Sequence, residues 1–170
     1  MTVLKRILFI LPFILWIAVI MTVSNQSFEQ QSIQPRLMDY ITEDKLRETL
    51  PDVSVSYGVV KIESKEDPFR FVEFIFRKSA HLFAYGLLAT FACVAFIPYP
   101  NKPRFRWIAL ISLLSVIIVA SIDELNQAQM DSRTGAFQDV VLDFVGGCLA
   151  LTIIGLIIWK KRSKAKRKER

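Results

Sequence analysis

The chain has 170 residues, 52% of them hydrophobic and 12% aromatic, with a net charge of +6 from 22 Lys and Arg against 16 Asp and Glu. That length suits one domain, and the apolar fraction excludes an ordinary soluble one and points to the membrane class. One His and two Cys give no spacing for a disulfide framework or a zinc site.

The first apolar run, Ile7 to Val23, follows the basic start "MTVLKR". The polar "MTVSNQS" at its end offers no small-x-small cleavage site, so an uncleaved span is expected. The segment 24–70 is the one sizeable polar region. In it "RLMDYITEDKLRETL" sets Leu37, Ile41 and Leu50 near one helical face and predicts a short amphipathic helix. "VSVSYGVV" alternates Val53, Val55, Tyr57 and Val59 with Ser54, Ser56 and Gly58, and predicts a strand or hairpin. Asp67 and Pro68 read as the N-cap and first turn of a second spanning helix over Phe71 to Ile97, which Pro98 and Pro100 end. A third span covers Trp107 to Ile122 and continues to Gln127; a fourth covers Val140 to Trp159. Each approaches or exceeds the roughly 20 residues that a helix needs to cross a bilayer. Cys93 and Cys148 fall inside spans as small apolar residues.

Lys5 and Arg6, the loop residues Lys102, Arg104 and Arg106, and the basic tail "KKRSKAKRKER" all belong on the cytoplasmic side by the positive-inside tendency. The expected fold is therefore an all-α membrane protein with four transmembrane helices, both termini cytoplasmic, and a small extracytoplasmic segment between the first two helices. Its parts are a first transmembrane helix (1–23), the extracytoplasmic segment (24–70), a three-helix core (71–159) and a basic tail (160–170). The location expected is the cell membrane, multi-pass. The positive charge is a topology signal that implies no nucleic-acid partner, and the tail can meet anionic lipid headgroups.

The second span begins with charge. Arg70, Glu73, Arg77, Lys78, His81 and Tyr85 fall within about 140° of arc, while Phe71, Ile75, Leu82 and Phe83 point largely elsewhere, toward lipid. Charges on the order of 10 to 15 Å inside a span are costly and turn toward protein or a water-filled cavity. The third span ends in "SIDELNQ", with Asp123 and Gln127 on one face and Glu124 beside them; Arg133 follows in the loop. The fourth carries Asp139 and Asp143 one turn apart, and Gly146, Gly147 and Ala150 continue that face as small residues that permit close packing. These groups share one end of the bundle. Four cations (Arg70, Arg77, Lys78, Arg133) stand against five carboxylates (Glu73, Asp123, Glu124, Asp139, Asp143). Two readings follow: a polar pocket with a ligand, or a neutral network that fastens the helices.

"KSAHLFAY", "DELNQ", Arg133 and "DVVLDFVGG" together resemble the VanZ-like family of bacterial membrane proteins, whose pattern runs K-x-x-H-x-x-x-Y, D-E-x-x-Q, G-R, D-x-x-x-N/D-x-x-G. Asn126 stands where the family often has His, and Ser132 where it has the loop Gly. The resemblance implies an envelope role in a Gram-positive bacterium, with low-level resistance to teicoplanin-type glycopeptides.

On that basis the outward pocket is expected to engage membrane lipid, a lipid-linked cell-wall precursor or a glycopeptide. Arg77, Lys78 and Arg133 would hold phosphate or carboxylate, with Glu124 and Asp139 orienting them, and Tyr85, Gln127 and Asp143 completing the ligand set. The alternative is a hydrolase or transferase in which His81 is the general acid or base, held by Asp123 or Asp139, with Glu124 beside them. No cofactor is expected; a divalent metal among the carboxylates and His81 is the variant of that reading. Transport ranks last, because the cytoplasmic halves of the helices carry no polar path.

Overall fold

A computed structural model describes residues 3–58, 60–97, 104–129 and 137–168. Four of its helices, α1 (Val3–Ser24), α5 (Pro68–Ala95), α6 (Phe105–Gln127) and α7 (Phe137–Lys168), are the long ones, and each is apolar enough over most of its length to cross a membrane. Between α1 and α5 come α2 (Phe28–Gln31), α3 (Gln34–Tyr40), α4 (Glu43–Thr49) and an antiparallel hairpin of β1 (Ser54–Tyr57) and β2 (Val60–Glu63). The four expected spans are present, with α1 and α6 running one way and α5 and α7 the other. The segment 25–67 caps one end.

α5 packs against all three other long helices. Leu88, Ala89, Val116 and Ala120 are fully buried where it meets α6 and α7. Along α7 the small residues act as the sequence predicts. A Cβ on Gly146 would lie 2.3 Å from the carbonyl oxygen of Leu82, and one on Gly86 would lie 3.2 Å from the carbonyl oxygen of Gly146. Two backbones thus touch directly, a contact that suits an apolar solvent in which packing rather than hydrophobic burial joins helices. On the other side of α5, Trp16 Nε1 donates to the Ala84 carbonyl at 2.8 Å, and its ring meets Phe91 edge-on. Large side chains such as Leu15, Phe83, Ile118 and Ile153 remain exposed over the outer faces, an apolar belt that fits lipid.

The cap is built from local signals. Ser27 accepts from Gln30 N while the Gln30 side chain accepts from Ser27 N, a capping box that starts α2. The expected single amphipathic helix over "RLMDYITEDKLRETL" is two helices instead. Ile41 and Thr42 are extended (φ −144° and −77°), a β-branched pair with low helical preference, and Thr42 takes the N-cap position before Glu43 and Asp44 in the first turn of α4. The hairpin forms as expected, with Tyr57 paired to Val60 and Gly58 at φ +59° in the tight turn, a region that favours glycine. Ser64, wholly buried, donates to the Pro51 carbonyl and accepts from Val53 N, closing the hairpin base.

Asp67 accepts from Arg70 N and Pro68 opens α5, the start read from the sequence. The helix stops at Ala95; Pro98 and Pro100 lie outside the described residues. Ile75 and Phe83 face outward, but Phe71 is buried (8% exposed), because α3, α4 and β2 all lie against α5.

The Gly146 contact gives a sharp test. Gly146→Ala should destabilise the purified protein by about 1 to 3 kcal/mol, the usual cost of overpacking, read as a lower unfolding temperature in detergent. Gly147→Ala should cost less, since its nearest neighbours at 3.3 Å are the side chains of Leu113 and Val116.

Candidate functional site

The polar stripe of α5 divides between two neighbours. Glu73, Arg77, His81 and Tyr85, spaced one turn apart, line a cavity of about 360 Å³ between α1, α5 and α6. Its walls are otherwise apolar: Val19, Ile20 and Val23 from α1, and Phe76, Ala80 and Ala84 from α5. Trp16 marks one end; Ser24, Gln31 and Ile33 mark the capped end. Asp123 and Gln127 of α6 complete the lining.

Asp123 is the hub of this wall. The Tyr85 hydroxyl donates to its Oδ2 at 3.0 Å, and Gln127 Nε2 donates to the same oxygen at 3.2 Å and reaches Ser24 Oγ at 3.5 Å. Asp123 is only 2% exposed, yet among the described residues Oδ1 has no hydrogen-bond partner. At the capped end Glu73, also buried, accepts from Ile33 N (3.1 Å) and Gln34 Nε2 (2.6 Å). The Arg77 guanidinium stacks 4.1 Å from the Phe28 ring centroid. Both residues therefore fasten the cap over the cavity.

Lys78 turns to α7 instead. It donates to Asp139 Oδ1 at 2.5 Å, and the Tyr57 hydroxyl donates to the same oxygen at 2.6 Å. Its ammonium sits 4.3 Å from the Tyr57 ring centroid, and Tyr57 packs edge-on against Phe74. One ion pair thus clamps the hairpin, α5 and α7 together. Burial, and then the hydrogen bond to the Asp139 carboxylate, push the Tyr57 hydroxyl well above the usual tyrosine range, so it stays a donor.

His81 stacks on Tyr85, and its Nδ1 lies 3.3 Å from Asp143 Oδ1, within ion-pair reach but outside hydrogen-bond alignment. Its carboxylate neighbour is Asp143, not Asp123 or Asp139 as the sequence reading had it. The expected network of cations against carboxylates is also redrawn. Glu73 spends its oxygens on amide donors of the cap, and Arg70 is exposed. Of the expected ligand set, Arg77, Tyr85, Gln127, His81 and Asp123 share the cavity. Lys78, Asp139, Asp143 and the buried Glu124 lie outside its lining, and Arg133 lies outside the described residues. Among the described residues no three His, Cys, Asp or Glu side chains gather as a metal site.

Trp16, Ser24, Gln31 and the clamp residue Tyr57 were not singled out by sequence. Nothing in an apolar run distinguishes a Trp that hydrogen-bonds a neighbouring helix from one at an interface. Asn126, in place of the family's His, instead donates to Asn25 Oδ1 where α1 enters the cap.

A family model described as VanZ/LLP1 matches residues 9–159. No curated protein and no solved structure matches the chain.

The clamp predicts a charge-coupled loss. Lys78→Met leaves Asp139 buried without its cation and should cost about 3 kcal/mol, while the double change Lys78→Met with Asp139→Leu should recover most of it in the same detergent melt. Folding raises the Tyr57 pKa, so this contribution is complete below the ordinary tyrosine value of about 10 and is lost as pH rises beyond it. Tyr57→Phe should remove that alkaline part of the stability profile.

Proposed function

The chain belongs to the VanZ/LLP1 family of membrane proteins, and on that footing we propose that its capped cavity binds an amphiphile of the bacterial envelope. In this reading the capped end faces outward, with both termini cytoplasmic, because the basic loop and tail lie at the opposite end. The observation that carries it is the cavity's composition: apolar walls from α1 and α5 for a chain, and a single polar edge from Arg77 to Asp123 for a headgroup. Holding such an amphiphile would lower susceptibility to teicoplanin-type glycopeptides.

A second reading rests on His81. Its ring borders the cavity with Asp143 behind it, the arrangement in which a carboxylate orients an imidazole for proton transfer. The protein would then be a hydrolase or transferase on the same amphiphile. Turnover of a labelled envelope lipid by the purified protein, lost in His81→Ala, would favour it over binding alone.

The test is a series, Arg77→Gln, His81→Ala and Asp123→Asn, expressed in a susceptible Gram-positive host and scored separately for membrane-inserted protein and for teicoplanin susceptibility. The reading expects normal protein amount with protection reduced several-fold for each. Protection that falls only in step with protein amount would assign the residues to a structural network instead.

A further inference from the structure

We propose that the headgroup held in the cavity is a protonated amine, received by the carboxylate of Asp123; this rests on the amphiphile reading above and specifies its polar end.

The sequence pattern suggests an anion site, since Arg77 and Lys78 enter the same span. The geometry points the other way. Lys78 is turned to Asp139 of α7 and is absent from the cavity lining. Among the described lining residues, two carboxylates, Glu73 and Asp123, stand against one guanidinium, that of Arg77, placed over Phe28 at the cap. His81 lies against a further carboxylate, Asp143.

Within that wall Asp123 is unevenly satisfied. Oδ2 accepts from Tyr85 and Gln127, whereas Oδ1, in a side chain 2% exposed, accepts from nothing among the described residues. A buried carboxylate oxygen without a donor is costly, and a ligand ammonium would supply both the hydrogen bond and the opposite charge. Trp16 adds an aromatic ring to the lining, a surface that favours an organic cation. Val19, Val23 and Phe76 line the cavity and are also 46%, 48% and 59% exposed, so the wall between α1 and α5 opens toward lipid and gives an alkyl chain its exit.

Trp16 supplies the readout. In the full-length protein with Trp107→Phe and Trp159→Phe, reconstituted in phosphatidylcholine nanodiscs, an alkylamine, an alkyl phosphate and an alkanol of equal chain length are titrated against Trp16 fluorescence. The amine should saturate at a concentration at least about tenfold below the other two, equivalent to about 1.4 kcal/mol, and Asp123→Asn should bring it level with the alkanol. A phosphate or alkanol that binds as well as the amine would overturn the headgroup assignment and leave the amphiphile reading standing. Saturation by none of the three would overturn the amphiphile reading itself. The ranking in the protein with Asp123 intact decides the matter even if Asp123→Asn does not fold.

Discussion

Charge carried into the hydrocarbon has to be met inside the protein, and in this chain α5 is where that demand concentrates. Lys78, Arg77, His81 and Tyr85 occupy two adjacent turns of a helix that touches every other long helix. The demand is met twice, against different neighbours. Toward α7, Lys78 closes on Asp139 with Tyr57 of the hairpin, which fixes the cap to the bundle. Toward α1 and α6, the remaining groups line a cavity, with Tyr85 bound to Asp123 at its edge. The close approach of Gly146 to the Leu82 carbonyl sets the separation at which both arrangements exist, because it fixes α7 against α5 within one turn of His81.

The same division explains which parts of the molecule serve which role. Lys78 and Asp139 have each other, and both carry hydrogen bonds from or contacts to the cap; they behave as a fastening. Asp123 is held by Tyr85 and Gln127 on one oxygen only. The segment 25–67 belongs to the same device, for Glu73 binds its backbone at Ile33 and its Gln34 side chain. It closes the space above the polar edge.

Much of this was legible before any coordinates. Run length and hydropathy located four spans, Asp67 and Pro68 located the start of α5, and Gly146 with Ala150 marked the tight face of α7. These are local signals, set by the period of the helix and by the bare size of glycine. The azimuth of the polar stripe was also correct, but an arc of about 140° spans two neighbours, and sequence alone does not say which residue turns to which. Hence Lys78 was placed with the ligand set and Asp143 was not seen as the neighbour of His81. The partners of Glu73 were hidden for a different reason. They are a backbone amide and a Gln side chain some forty positions away, at the break between α2 and α3, and carry no charge that would announce the pairing.

The central claim is that the polar edge of α5 borders an open cavity whose capped end faces outward. Ala80 lines that cavity and is exposed within it, so a thiol there samples the claim directly. With Cys93→Ala and Cys148→Ala as background, Ala80→Cys should react with a membrane-impermeant thiol reagent applied to intact cells, and an alkylamine should slow the reaction. Labelling that requires permeabilised cells would contradict the outward orientation, and a thiol that resists the reagent even then would contradict the open cavity.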